Sequence, residues 1–205
     1  MSTPPIAVHR LAPERRDDYL RFFDHDRGPA FADNPEWARC YCHYYHVPKE
    51  LAWGEFTATQ NRVAIGARID AGEHEGYLGY AGDEVVGWLN VQPYSKLPHA
   101  CARIGIGRPA LPVHDFQAAA ILCFVIAPAW RRRGVARALL TGTLVSLAER
   151  GLAIVDAFPF KSGASTVPAD HYHGPRALFD AAGFAVVREE DELTVMRRVL
   201  TAPAR

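Results

Sequence analysis

The stretch that most constrains this chain runs from Ala118 to Ala148, AAAILCFVIAPAWRRRGVARALLTGTLVSLA. Ala118 to Ile126 is an unbroken apolar run of strand length. Such a run suits a strand covered on both faces. Pro128 ends it, and the loop Trp130 to Ala136 opens a helix. The helix places Val135, Leu139, Leu140, Leu144 and Leu147 on one side. Gly151 stands where a left-handed residue would close it.

A loop of this kind suits a phosphate. The N–H groups at a helix start lack internal acceptors, and the helix dipole favours negative charge there. Gly134 has no Cβ to keep a ligand from the backbone, and Ala136 is nearly as small. Arg131, Arg132 and Arg133 add positive charge and forked donors. An ordinary strand-to-helix turn with a solvated arginine cluster fits the same spacing.

The pattern Ile126-x-Pro128-x-x-Arg131-x-x-Gly134-x-Ala136, after a covered strand and before an amphipathic helix, resembles the signature of the GNAT superfamily of N-acetyltransferases, Arg/Gln-x-x-Gly-x-Gly/Ala. Ala177 to Phe184 is similar to that family's last helix with its closing Gly-Phe, and Val85-Val86-Gly87-Trp88 to its central strands. The similarity spans Gly76 to Leu200; the N-terminal third matches loosely.

The resemblance implies an α/β (α+β) fold, a mixed, mostly antiparallel twisted sheet flanked by helices, with two splayed parallel central strands. Here those are Ala118–Ile126 and Ala153–Phe160. It implies one domain over residues 1–205, with 1–75 forming the acceptor side and 76–200 the acetyl-CoA-binding core. The implied reaction carries acetyl from acetyl-CoA to a primary amine of a small molecule or peptide, by direct attack on the thioester. Cofactor binding would fall to the amides of Arg131, Arg132, Arg133, Gly134, Val135 and Ala136. The side chains of Arg132, Arg133 and Arg137 either reach phosphates or are simply solvated. The strand backbone at Phe124, Val125 and Ile126 would bond the pantetheine amides and polarise the thioester carbonyl.

The catalytic groups are harder to place. Many family members carry a proton-donating tyrosine where this chain has Phe179. That keeps open a non-catalytic acyl-CoA-binding module of the same fold. The nearest substitutes are Tyr172, His173 and His171, just before the last helix. Histidine titrates near neutral pH, which suits acid–base work; packing at a helix entry is the other reading. No acid occurs from Phe116 to Ala136, so Asp156, mid-strand, becomes the candidate base. A buried carboxylate needs a partner, and burial raises its pKa. A purely structural carboxylate is the alternative, and Glu84 and Glu55 are weaker candidates, both read as solvated.

Composition sets outer bounds. Lys plus Arg equals Asp plus Glu, 23 each, which argues against a general nucleic-acid binder. The first residues show no apolar signal core, and the longest apolar run falls short of the roughly 20 residues a membrane span needs. The chain reads as soluble and cytoplasmic, with neither nucleic acid nor membrane as partner. Four cysteines do not suggest a disulfide scaffold.

An aromatic-dense stretch from Phe31 to Phe56 contains Cys40-Tyr41-Cys42-His43-Tyr44-Tyr45-His46. Two thiols and two imidazoles are zinc ligands in kind, but Cys-x-Cys is a poor match to the usual spacing, and no metal site is assigned. Core packing and the aromatic wall of an acceptor pocket are the two better readings, and such walls favour an apolar or cationic acceptor. A nucleotide phosphate binder is a further rival.

The remaining pattern gives a strand at Pro4–His9 and helices at Pro13–Asp24 and Thr57–Asp70. A hairpin joins Tyr77–Tyr80 to Glu84–Val91, and long loops cover Gln92–Phe116 and Lys161–Asp170. A short helix spans Pro175–Ala182, with Pro175 in its first position and Gly183 as cap. A closing hairpin pairs Ala185–Arg188 with Leu193–Val199; its edge and the aromatic stretch are candidate homodimer surfaces.

Overall fold

In a computed structural model, which describes residues 4–161 and 171–200, the chain is built on one seven-stranded sheet. Strands β1 (Ile6–Arg10), β2 (Tyr77–Ala81), β3 (Glu84–Pro93), β4 (Ala118–Ile126), β5 (Ile154–Ala157), β6 (Ala185–Glu189) and β7 (Thr194–Val199) lie in the order β1-β2-β3-β4-β5-β7-β6. Every neighbouring pair is antiparallel except β4 and β5. The helices are α1 (Arg16–Phe22), α2 (Ala58–Asp70), α3 (Ala100–Arg103), α4 (Val135–Glu149) and α5 (Arg176–Ala181). The mixed, mostly antiparallel sheet expected from the sequence is present, including its one parallel pair.

Two apolar layers cover the sheet. On one face α4 and α5 bring Leu139, Leu140, Leu144 and Phe179 against Val86, Leu89, Ile121 and Phe124. On the other, α1, α2 and the aromatic stretch bring Tyr19, Phe23, Tyr41 and Ile65 against Trp88, Leu122 and Val125. β4 is therefore buried on both faces, as its unbroken apolar run requires. Its alternation slips once: Leu122 and Cys123 both join the aromatic layer. There Asn90 pairs with Cys123 and Val91 with Ile121, so Leu122 is the extra residue of a β-bulge.

The slip matters because of what happens next. β4 pairs with β5 only from Ala118 to Ile121. Beyond that, β5 ends at Ala157 and Leu122–Ile126 run on without it. The expected strand Ala153–Phe160 is thus shorter, since Pro159 follows and Phe160 bridges instead to Leu193. A gap opens between the two parallel strands on the carboxyl side of the sheet.

Several expected boundaries move. The helix at Pro13–Asp24 is a 3₁₀ turn, Pro13–Arg15, followed by α1. The expected loop Gln92–Phe116 begins as strand and contains a 3₁₀ turn at Tyr94–Lys96 and α3. Pro175 is extended, with ψ 140°, and precedes α5 rather than opening it. Thr57 caps α2 with a reciprocal Thr57–Gln60 capping box. Of the loop expected at Lys161–Asp170, all but Lys161 lies outside the described residues.

Candidate active site

The freed end of β4, the start of α4 and the aromatic stretch enclose a cavity of about 550 Å³. β4 contributes Cys123 to Ile126, the loop contributes Arg131, Arg132 and Ala136, and residues His171, Tyr172, Gly174 and Pro175 close one side.

The turn into α4 is built for backbone exposure. Arg132 and Gly134 both have left-handed backbones, φ 62° and φ 82°. Gly134 is needed for that φ, since a Cβ there would meet nothing within 4 Å. Among the described residues no side chain caps the helix, and its first internal bond runs from Ala138 N–H to Gly134 C=O. The N–H groups of Val135, Ala136 and Arg137 therefore precede any intrahelical acceptor. A left-handed turn ahead of an uncapped helix start is an anion-binding concavity. The residues present fit the phosphates of a coenzyme A thioester.

The arginines divide. Arg131 is paired in a fork with Asp33 and donates from Nε to the Ile126 carbonyl at 3.2 Å, so its guanidinium ties the loop to the N-terminal region. Arg133 lies over the Trp130 ring at 5.4 Å. Arg132 stays on the cavity wall. Arg137 points to a separate groove between α4 and α5, lined also by Leu140, Leu144, Leu178 and Arg198.

Along the freed edge of β4, Ala127 N–H bonds to β3 at Val86, so by antiparallel alternation the N–H groups of Ile126 and Phe124 face the gap. The Phe124 amide does not stand open there. It donates to the Tyr172 carbonyl at 2.6 Å. The Leu122 carbonyl accepts from the Tyr45 hydroxyl at 3.0 Å. The chain itself supplies hydrogen bonds that a missing strand would make. Gly174 (φ 85°) turns this segment away; a Cβ on it would sit 3.1 Å from the rings of Phe124 and Phe179.

The expected catalytic residues part company. Tyr172 lines the cavity, its ring edge-on to Trp37 at 5.5 Å. His171 lines it too. His173 is buried beside them, not on the wall; burial pushes its imidazole down to about 3, and its Nδ1 has no hydrogen-bond partner. Asp156 is not brought to the cavity. Fully buried, it accepts from Arg197 Nε at 2.6 Å, Arg197 Nη2 at 2.8 Å and the Tyr94 hydroxyl at 2.9 Å. That is the geometry of a structural carboxylate. Phe179, fully buried against Phe124 and Phe184, offers no proton. Glu84 and Glu55 are exposed.

The aromatic stretch divides between core and cavity wall, residue by residue. Tyr41 is packed in the core, while Phe31, Trp37, Tyr44 and Trp53 face the cavity. Its cysteines and histidines also separate. Cys40 and Cys42 turn to the cavity, with burial pushing the Cys40 thiol up to about 12. His46 turns inward to His74, Nε2 to Nδ1 at 3.0 Å. Among the described residues, no three His, Cys, Asp or Glu side chains are grouped to hold a metal ion.

Comparison with known proteins decides the family. The model of the acetyltransferase (GNAT) family matches residues 16–173. This chain belongs to the GNAT family. Solved GNAT structures share its fold at low identity. An N-acetyltransferase from Kribbella flavida is 18% identical with a TM-score of 0.54, over 95% of this chain and 98% of that one. An acetyltransferase from Thermus thermophilus is 17% identical (TM-score 0.52, 98% and 100% covered). PaiA N-acetyltransferase from Thermoplasma acidophilum, solved in complex with coenzyme A, is 10% identical (TM-score 0.52, 95% and 99%). No protein of curated function matches this GNAT chain in sequence. No described helix is long and apolar enough to cross a membrane.

Proposed function

We propose that this GNAT protein transfers an acetyl group from acetyl-CoA to a primary amine. The observation that carries the proposal is the coincidence of two features at one place. β4 loses β5 beyond Ile121, and the edge so freed leads into an uncapped helix start. One groove thus offers extended backbone for an amide-bearing arm and free N–H groups for its phosphates.

Acetyl-CoA supplies the acetyl group as an activated thioester. The amides of Val135 to Arg137 and the Arg132 side chain bind its phosphates, and the gap-facing amides of β4 orient the arm and polarise the carbonyl. The acceptor nitrogen bonds to the carbonyl carbon as the carbon–sulfur bond breaks; one proton leaves nitrogen and one reaches sulfur. Tyr172, on the wall beside β4, delivers the proton to sulfur, and His171 accepts that of the amine. His173 and Asp156 hold the site from behind. Residues 1–75 shape the acceptor side and 76–200 the cofactor side, working as one domain.

Phe179 favours a second reading, an acyl-CoA-binding module without turnover. Two measurements separate the readings: calorimetric titration with acetyl-CoA, and amine-dependent release of free thiol. Binding with thiol release supports the enzyme, and binding without release supports the module. A folded protein that binds no acetyl-CoA refutes both.

A further inference from the structure

Inside the proposed site, the cavity wall carries information about the acceptor. Among the described lining residues, the carboxylate is Glu36, at the exposed rim; Arg39, Arg131 and Arg132 carry the opposite charge. Each ammonium brought out of water needs a partner of its own. With Arg131 held by Asp33 and Arg132 given to the phosphates, Glu36 is left as the lining carboxylate, so a polyamine finds a partner for one ammonium and none for the next.

The inner end is uncharged. It is formed by Cys42, Cys123 and Tyr45, and burial pushes Cys42 and Tyr45 well above their ordinary values, so both stay neutral. A peptide laid along the β4 edge would also meet obstacles. The Leu122 carbonyl is bonded to Tyr45, and the Phe124 amide is held by Tyr172 until the cofactor arm takes it, so in the loaded protein acceptor addition as an extra strand has no open ladder there.

What the cavity does offer is flat apolar surface. Trp37 stands edge-on to Tyr172, with 73° between the rings, and Trp53 edge-on to Tyr44, with centroids 5.3 Å apart. The Tyr44–Trp53 half of this wall is fixed in advance. The Arg103 guanidinium lies over the Tyr44 ring at 5.1 Å and donates to the carbonyls of Val47 at 2.8 Å, Leu51 at 2.9 Å and Pro48. The Tyr44 hydroxyl returns a bond to the Arg103 carbonyl at 3.0 Å. An aromatic wall held in place in the free protein loses little entropy when a flat ligand lies against it.

We infer that the acceptor is a monoamine carried on a flat apolar body, its ring against the wall that Trp37 and Trp53 contribute to and its nitrogen directed at β4. This rests on the acetyltransferase reading. It adds that the acceptor is neither a polycation nor a peptide laid as a strand along β4.

The test titrates the CoA-loaded protein with three probes: tryptamine, spermidine and a tripeptide with a free N-terminal alanine. Tryptamine binds about 100-fold more tightly than either of the others, as burial of one aromatic body against an aromatic wall requires. Trp37→Ala, at a half-buried rim position, weakens tryptamine about tenfold and leaves acetyl-CoA affinity unchanged; a general loss of folding would weaken both. Spermidine or peptide binding as tight as tryptamine overturns the inference and leaves the acetyltransferase reading standing. So does a Trp37→Ala protein that binds tryptamine normally. Failure of CoA itself to bind refutes the proposed function and this inference with it.

Discussion

Acidification from pH 7 to pH 5 will destabilise this protein through its buried histidines. His46, His74 and His173 are all buried. A hydrogen-bond network fixes the protonation of His46 and His74. The Tyr19 hydroxyl donates to the Tyr41 carbonyl at 2.8 Å, so His74 Nε2, 3.2 Å from that oxygen, must be the donor between them. His74 Nδ1 is then a bare acceptor and takes the proton of His46 Nε2 at 3.0 Å. Neither ring can gain a proton without setting two N–H groups against each other or burying a charge. Burial holds His46 at about 3 and His173 at about 3, with His74 well below its ordinary value.

The unfolded chain takes up these protons near pH 6.5 and the folded chain does not until about pH 3, so stability is full above 6.5 and falls through that window. At pH 5 each of His46 and His173 costs about 2 kcal/mol, roughly 1.4 kcal/mol per pH unit over 1.5 units, and together about 4 kcal/mol before His74 is added. The carboxylates with shifted values, Asp24 and Glu75, lie below their ordinary values of 3.8 and 4.5 and act only at lower pH. Urea unfolding at the two pH values measures the difference, and His173→Leu removes about a third to a half of the slope. Equal stability at pH 7 and pH 5, at constant m-value, would refute the reasoning.

Ala136→Glu places a carboxylate in the first turn of α4, where the helix dipole welcomes it, so the melting temperature holds; acetyl-CoA affinity drops about 100-fold or more by calorimetry. Unchanged affinity would remove the phosphates from this loop. Tyr172→Phe keeps the backbone bond to Phe124 and deletes the hydroxyl, so kcat falls about 100-fold while acetyl-CoA affinity stays; an unchanged kcat would take the proton donor elsewhere. Asp156→Asn leaves Arg197 charged and nearly buried, costing about 3 kcal/mol in chemical denaturation. Turnover of the folded fraction stays within about twofold, and a 100-fold loss instead would restore Asp156 as the base.

The central unit was legible because three signals agree there. The apolar run specifies a strand buried on both faces, and Gly134 and Gly151 stand at left-handed positions at either end of α4. The site was less so, since its decisive contacts join residues far apart in sequence. Arg131 reads as one of three free forked donors until Asp33, 98 residues earlier, is seen to hold it. Asp156 reads as a base until Arg197 closes on it across the β5–β7 pair. Nothing in AAAILCFVI marks Leu122 as the bulge, because every residue of the run is apolar and the slip in alternation leaves no trace. In the aromatic stretch, composition gave the material but not the facing; left-handed backbones at Tyr41 and Cys42 break the local period that would have revealed it.

The bond from Phe124 to the Tyr172 carbonyl has an energetic meaning under the proposed function. The amide that an incoming cofactor arm would use is already satisfied by the chain, so the arm enters by exchange rather than by filling an empty place. The residue displaced is also the one whose ring abuts Trp37 on the amine's side of the cavity. The exchange is made at the Tyr172 backbone carbonyl. Under the proposed function, acetyl-CoA affinity thus measures a displacement, the contacts the arm gains less the bond the chain gives up.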